Sequence, residues 1–119
     1  MTGIKLIEGG VCAAQGFTGA GIHCGVRKNR TKRDLALILS SVPASAAAVY
    51  TTNLVKGAPL EVTKKHLENG LARAVICNSG NANTCNADGI EIAEATCALL
   101  ASELGIAPED VLAASTGVI

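Results

Sequence analysis

Three segments decide the fold: ARAVIC at residues 72–77, DGIEIAEATCALLASELG at 88–105 and VLAAS at 111–115. The first and the third are short apolar runs, which are typical of buried strands. The second has the periodicity of a helix that is apolar along one side. A helix between two strands is the crossover unit of α/β proteins, so this stretch predicts a strand–helix–strand unit.

The helix of this unit has recognisable ends. Asp88 suits the N-cap position, and Glu91 can complete a capping box with it. Gly105 suits the helix end, because glycine readily adopts the left-handed conformation found there. Glu94 and Glu103 lie with Glu91 on the side that we expect to be solvated. The core-facing stripe consists of residues at helical spacing: Ala93, Cys97, Leu100 and Leu104.

The N-terminal half predicts three further strands: residues 20–26, 34–41 (DLALILSS) and 46–52 (AAAVYTT). Pro43 breaks the chain between the last two. Residues 59–67 form either a short helix or an extended piece, since Pro59 suits a first helical position while Val62 and Thr63 favour a strand. The order of elements therefore predicts an α/β fold, a layered mixed sheet with flanking helices.

The charge balance argues against a nucleic-acid partner. The chain has ten basic and ten acidic residues, whereas binding to a phosphate backbone needs a surplus of Lys and Arg on one surface. We interpret the single basic cluster as a solvated loop, with binding of an anionic ligand as the alternative. This cluster contains no aromatic residue on which a base could stack, and it consists of Arg27, Lys28, Arg30, Lys32 and Arg33.

The cysteines and the N-terminus indicate a reduced, cytoplasmic protein. Five cysteines, an odd number with no C-x-x-C spacing, argue against a disulfide framework and a cysteine-based zinc site. The first ten residues lack the features of a signal peptide, and no apolar run is long enough to cross a membrane. Two distant histidines and scattered carboxylates predict no metal site.

No complete catalytic set is visible in the sequence. Cys24 follows His23, but neighbours in a strand point to opposite faces, so we do not expect them to form a pair. Ser79 precedes a glycine but lies in no G-x-S-x-G elbow. Cys77 and Cys97 lie in apolar patterns that are typical of core thiols.

Two polar segments could carry function. The predicted loop 78–87 starts with NSGNAN at 78–83, directly after a strand, where ligands bind in open α/β sheets. Its amides could hold an amino-acid-like substrate, or they could satisfy turn geometry and cap the next helix; the sequence leaves both open. In STGVI at 115–119, Thr116 and Gly117 could donate hydrogen bonds to an oxyanion, although Thr-Gly after a strand is more often a plain turn.

Taken together, the motifs resemble the N-terminal region of the glutamate N-acetyltransferase / ornithine acetyltransferase family of arginine biosynthesis. The resemblance covers almost the whole chain. TTNLVKGAP, NSGNAN and ASTGVI are specific in combination, although each is weak alone. The segments that carry the resemblance are GFTGAGIHCGVRK (16–28), KRDLALILSSVPASAAAVYTTNLVKGAP (32–59), ARAVICNSGNANTCNADG (72–89) and LGIAPEDVLAASTGVI (104–119).

The resemblance implies a reaction and a partner chain. Members of the family transfer an acetyl group from N2-acetylornithine to glutamate, and some accept acetyl-CoA as donor; no cofactor is implied. Their precursor cuts itself into an α and a β chain, and the N-terminal threonine of the β chain is the nucleophile that carries the acetyl group. The family's oxyanion hole maps onto Thr116 and Gly117.

On this basis residues 1–119 are expected to be a single partial domain of a larger self-processing acetyltransferase fold, the N-terminal region of the α chain. Family α chains continue well past the TGVI segment, so the nucleophile is expected elsewhere. We therefore expect the chain alone to be inactive. Its expected partners are the remainder of the α chain and the β chain, in a hetero-oligomer such as a heterotetramer.

Two other functions remain open from the sequence. One is a non-catalytic module that binds an amino acid through the segment 78–83. The other is part of a related self-processing hydrolase with an N-terminal nucleophile, in which water accepts the acyl group. Oxyanion stabilisation serves a hydrolase and a transferase alike, so Thr116 and Gly117 do not distinguish these two enzymes.

Overall fold

The computed structural model describes residues 3–119 and contains one four-stranded sheet with two α-helices. The sheet order is β1-β2-β3-β4, with antiparallel neighbours except for the parallel pair β3–β4. This mixed α/β architecture confirms the predicted fold class. The elements are β1 (Phe17–Ile22), β2 (Leu35–Ser45), α1 (Ala58–His66), β3 (Leu71–Asn81), α2 (Gly89–Leu104) and β4 (Val111–Val118), with 3-10 turns at Gly10–Cys12, Leu67–Asn69 and Pro108–Asp110.

The predicted crossover is present as β3–α2–β4. The two strands pair in parallel, with Ala74 opposite Val111 and Asn81 opposite Val118. The predicted stripe of α2 faces inward: Cys97 is fully buried, Ala93 is buried, and Leu100 and Leu104 pack against the core.

Both helices pack on one face of the sheet. Buried side chains of the two helices pack against Ala74 and Ile76, which are alternate residues of β3. Leu35, Leu37 and Leu39 of β2 pack against the edge of this core. The opposite face carries the intervening residues, and Ala36 and Cys77 are exposed there. The expectation of a buried strand at 72–77 therefore holds for one face of the sheet only, and the expectation that Cys77 is a core thiol is wrong for this chain. The buried core consists of Val62, Ala74, Ile76, Ala93, Cys97, Ala101 and Val111.

Residues 59–67, left open by the sequence, are mostly helical. Pro59 lies in the first turn of α1, where its missing N–H costs nothing. Tertiary contacts override the strand preference of the β-branched residues: Val62 is 1% exposed in the core, and the Thr63 hydroxyl donates to the Ala113 carbonyl at 2.9 Å. His66 is buried at the last turn, and its Nδ1 donates to the Val111 carbonyl at 2.7 Å.

Three predicted boundaries in the N-terminal half are wrong. β1 ends at Ile22, so most of the predicted strand 20–26 is a loop. β2 passes through Pro43 instead of stopping before it, because the register shifts between Leu39 and Ala44 and proline can occupy such an irregularity. The predicted strand at 46–52 has no regular structure.

The predicted start of α2 is correct, but the predicted capping interaction is not present. Asp88 lies directly before the helix, but its side chain makes no capping hydrogen bond, so the capping box is absent. Gly105 ends the helix in the left-handed conformation as predicted, with φ +65°. No helix within residues 3–119 combines the length and the apolar character that crossing a membrane requires.

Candidate active site

The carboxyl ends of β3 and β4 lie side by side and bring together the two polar segments that the sequence singles out. Because the strands are parallel, Ser79 pairs with Thr116 and Gly80 pairs with Gly117. The sequence predicts a loop from residue 78 and a turn at 116–117, but both segments continue as strand. The ladder therefore holds Thr116 and Gly117 in a fixed register.

Gly117 occupies a position that only glycine fits. Its φ is +133°, a conformation that other residues rarely adopt. A Cβ at this position would overlap the Gly80 carbonyl carbon and would lie 2.7 Å from the Asn81 nitrogen. Gly80 also has a positive φ, +140°. The two backbones thus approach more closely than any side chain would allow.

Two depressions meet at Gly117. One, of about 500 Å³, contains Thr116 and lies towards Tyr50 and the start of α1. The other, of about 680 Å³, is lined by Gly80, Gly117 and the loop after β1. A small molecule in either depression can reach Gly117.

The second depression has a positively charged wall. Arg27, Lys28 and Lys32 line it together with Asn29, and no acidic residue lines it. Within residues 3–119, none of these three cations has a carboxylate at ion-pair distance. The basic cluster interpreted as a solvated loop therefore borders the Gly80–Gly117 pair, and its field favours negative charge there.

A buried carboxylate holds this basic loop in place. Asp34 is 2% exposed, and its carboxylate accepts hydrogen bonds from the backbone N–H groups of Cys24 at 2.7 Å, Gly25 at 3.2 Å and Arg27 at 2.9 Å. The His23 ring Nδ1 lies 3.0 Å from the same carboxylate. His23 thus pairs with Asp34. The sequence predicted only that His23 and Cys24 would not form a pair.

The carboxylate form of Asp34 is strongly favoured. The Arg27 N–H, the largest cause, holds the pKa of Asp34 well below its usual value. Burial acts in the opposite direction, and Cys24 and the nearby His23 lower this pKa further. Sequence reasoning missed Asp34, which reads as the first residue of the predicted strand 34–41. The available signal was an isolated acid between a basic run and an apolar run.

The asparagine-rich segment is largely engaged in bonds to itself. Asn78 Nδ2 donates to the Asn81 carbonyl at 2.9 Å, and Asn81 Oδ1 accepts from the Asn83 N–H at 2.7 Å. Buried Asn83 donates through Nδ2 to the Gly89 carbonyl at 2.8 Å. Ser115 Oγ donates to Asn78 Oδ1 and ties the segment to β4. These bonds support the structural interpretation of the segment, although its amides also border a cavity of about 280 Å³.

The remaining candidate groups lie outside this site. Burial raises the pKa of the Cys97 thiol to about 11, with Glu94 adding to the shift. Glu94, expected on a solvated face, forms an ion pair with Lys65 at 2.9 Å. Among the residues that the structure describes, no cluster of three or more His, Cys, Asp or Glu is placed to hold a metal ion.

Comparisons with known proteins assign the family. The model of the ArgJ family matches residues 18–119. The arginine biosynthesis bifunctional protein ArgJ of Symbiobacterium thermophilum is 48% identical over 98% of this chain. The chain covers only 29% of that relative's length.

Two solved structures share the fold. The crystal structure of arginine biosynthesis bifunctional protein ArgJ from Bacillus halodurans has a TM-score of 0.88 and 43% identity, over 93% of this chain and 58% of the solved chain. That of Mycobacterium tuberculosis ornithine acetyltransferase complexed with ornithine has a TM-score of 0.80 and 38% identity, over 90% and 58% respectively. With a family match over nearly its whole length and this agreement in fold, the chain belongs to the ArgJ family.

Proposed function

We propose that this chain is part of an acetyltransferase that moves an acetyl group from N2-acetylornithine to glutamate, and that Thr116 and Gly117 form its oxyanion hole. The observation that carries the proposal is the Gly80–Gly117 pair, which fixes the backbone beside Thr116 at the junction of two depressions. Donors held rigidly before the reaction stabilise a tetrahedral intermediate without reorganisation.

The nucleophile in this proposal is the N-terminal threonine of a separate β chain, which forms an acetyl-threonine intermediate. The relative lengths of the neighbours support a division into two chains. This chain covers 58% of each solved chain but 29% of the relative from Symbiobacterium, so the solved chains are roughly half as long as that relative. Such a ratio is expected when a precursor is cut near its middle.

The surface of the chain supports a large partner. Its accessible surface is 8299 Å², whereas a monomer of 12.0 kDa typically exposes about 6000 Å². Its radius of gyration is 15.2 Å, against about 13.5 Å for a compact domain of this length. Val49 and Leu54 are each 98% exposed. We propose that the remainder of the α chain and the β chain cover this surface in a hetero-oligomer.

The positive wall beside Gly117 supports an acidic substrate. Arg27, Lys28 and Lys32 attract the carboxylates of glutamate and also favour the negative oxygen of the intermediate. No cofactor enters this proposal, and acetyl-CoA as a second acetyl donor stays a prediction. The cytoplasmic location also stays a prediction.

The binding-module alternative receives less support. It requires free amides in the segment 78–83, and most of these amides are engaged within the segment or with β4. The hydrolase alternative differs only in the acceptor. Analysis of the products formed by the complete enzyme, with and without glutamate, distinguishes it.

The test is Thr116→Ala in the complete ArgJ protein. An oxyanion donor acts mainly in the transition state, so kcat should fall by about 10²- to 10³-fold while KM changes little. Thr18→Ala, an exposed threonine of β1 at the opposite edge of the sheet, is the matched control and should leave kcat unchanged. Unaltered acetyl-transfer turnover in Thr116→Ala would show that the assignment of the oxyanion hole is wrong.

A further inference from the structure

The buried carboxylate of Asp34 has no partner in the hydrophobic core. Among residues 3–119, its hydrogen-bond and ion-pair partners belong to the loop 23–27 and include three backbone N–H groups and the His23 ring. A buried charge is costly unless hydrogen bonds satisfy it. This one is satisfied only while the loop keeps its present shape, so the carboxylate and the loop conformation depend on each other.

The loop in turn rests on Gly80. A Cβ at Gly80 would lie 2.9 Å from Val26 Cγ1, 3.0 Å from Arg27 Cγ and 3.1 Å from the Val26 carbonyl oxygen. These distances place the two residues in the space that a side chain at Gly80 would occupy, so the loop packs against Gly80. On its other side, Gly80 touches Gly117, where a Cβ would lie 2.7 Å from the Gly80 Cα.

The main chain of Asp34 makes a second connection. Its carbonyl accepts the Ser79 N–H at 2.8 Å, and Ser79 is the register partner of Thr116. Its own N–H donates to the Ile22 carbonyl at 2.9 Å, which fixes Asp34 to the end of β1. One residue therefore holds both the loop above Gly80 and the strand beside Thr116.

We propose that Asp34 is a positioning residue for the oxyanion hole, acting through the loop 23–27 and Gly80 on Gly117. The inference rests on the proposed role of Thr116 and Gly117. Asp34 itself touches no substrate in this proposal. Its effect is to set the distance between the Gly117 backbone and the oxygen that develops negative charge.

Asp34→Asn is the informative substitution because it keeps the size of the side chain. The amide retains one acceptor oxygen and places an NH2 group against backbone N–H donors, so the three bonds cannot all survive. The loop then shifts, and Gly80 shifts with it. A displacement of about 1 Å at a reacting group can lower the rate by about 10²-fold.

The experiment uses the complete ArgJ protein with N2-acetylornithine and glutamate. We expect Asp34→Asn to lower kcat by about 10- to 100-fold and to leave KM for N2-acetylornithine within about threefold, whereas KM for glutamate rises because Arg27 moves with the loop. Asp88→Asn is the matched control, since Asp88 is exposed and makes no capping bond. Unchanged kcat, or a rise in KM alone, would overturn the proposal.

A double-mutant cycle with Thr116→Ala separates positioning from a general loss of structure. If Asp34 acts through the oxyanion hole, the two losses should combine less than multiplicatively, because Thr116 and the Gly117 backbone that Asp34 positions act on the same oxygen. Multiplicative losses would mean that Asp34 acts elsewhere, and this inference would be wrong. An unaffected Thr116→Ala would instead refute the oxyanion hole itself, so the two failures are distinguishable.

A second variant covers the case in which Asp34→Asn does not fold. Val26→Ala keeps the backbone N–H groups that bond to the carboxylate and removes the side-chain methyl groups, one of which packs beside Gly80. We expect kcat to fall by about three- to tenfold, and again by a smaller factor in the Thr116→Ala background than in the wild type. A Val26→Ala enzyme with full kcat would contradict the transmission through Gly80.

Discussion

At Gly117, both the pairing of β3 with β4 and the proposed oxyanion hole depend on the absence of a Cβ atom. Gly117→Ala places a Cβ onto the Gly80 carbonyl carbon in a strained conformation. We expect the free energy of unfolding to fall by at least about 1–3 kcal/mol, the usual cost of such backbone strain, with the overlap adding to it. Urea unfolding of the purified variant measures this.

Gly105→Ala is the control for that measurement. Gly105 also has a positive φ, +65°, but a Cβ there meets no atom within 4 Å. Its substitution therefore reports the conformational cost alone, expected at about 1 kcal/mol. Equal losses in the two variants would show that the close approach of Gly80 and Gly117 is not needed.

Asp34 gives the stability of the protein a dependence on pH. Its folded-state pKa is lowered, so the carboxylate stabilises the fold at neutral pH. This contribution should be lost as the pH falls below the ordinary Asp pKa of about 3.9 towards the lower folded value. Urea midpoints of the wild type and of Asp34→Asn should differ at pH 7 and converge in acid. A constant difference down to the lowest measurable pH above acid unfolding would contradict this linkage.

Among single residues, the sequence singled out Thr116 and Gly117 as candidate oxyanion donors and gave no indication of a role for Asp34. Thr-Gly after a strand is a local pattern that also occurs in the resembled family, so a reader of the sequence can find it. The partners of Asp34 are backbone N–H groups, which every residue has, so no side-chain pattern marks them. The roles assigned to Thr116 and Gly117 stay predictions until the variants are measured.

The basic loop between β1 and β2 predicts an effect on substrate affinity. In the complete enzyme, Lys28→Gln should raise KM for glutamate by about 2- to 10-fold and weaken the dependence of KM on salt, because one attractive charge is lost. Arg30→Gln is the control, since Arg30 belongs to the same loop but does not line the depression beside Gly117. Identical KM values for glutamate in both variants would contradict a role of this wall in binding the acceptor.

Elements with strong periodicity were predicted well, and elements defined by long-range pairing were not. α2 follows from its apolar stripe and its terminal glycine. The predicted strand at 46–52 failed because strand-forming residues such as Val49 and Tyr50 form a strand only where they pair with a neighbouring strand, which the local sequence does not show. β3 and β4 extend beyond their predicted ends because they pair with each other at Ser79–Thr116 and Gly80–Gly117, which no local pattern shows.

The whole molecule exposes apolar residues that a stable assembly should cover. Lys56 follows exposed Leu54 and Val55 in the irregular segment 46–57. We expect trypsin to cleave after Lys56 rapidly in this chain alone and at least about tenfold more slowly in the complete ArgJ protein, because partner contacts protect exposed segments. Mass spectrometry of timed digests measures both rates. Equal rates would mean that this segment stays exposed in the assembly.

For the whole molecule, the fold class was predictable because one crossover unit requires a parallel strand pair and therefore an α/β layer arrangement. The surplus of surface was not predictable. Apolar content is read directly from a sequence, but whether those residues are buried depends on how the layers cover one another. The sheet face that carries Ala36 and Cys77 shows this, because its pattern predicts burial and yet both residues are exposed in the part of the chain that the structure describes.

The positions of Asp34's partners along the chain also indicate the order in which its bonds form during folding. All partners of its carboxylate lie between residues 23 and 27, whereas the partner of its carbonyl, Ser79, lies far along the chain. Short loops close faster than long ones, and translation delivers the N-terminal part first. The contacts of Asp34 with the loop 23–27 can therefore form as soon as β1 and β2 have been synthesised, but a two-stranded hairpin alone is only marginally stable. The bond from Ser79 to Asp34 and the pairing with β3 then complete the arrangement.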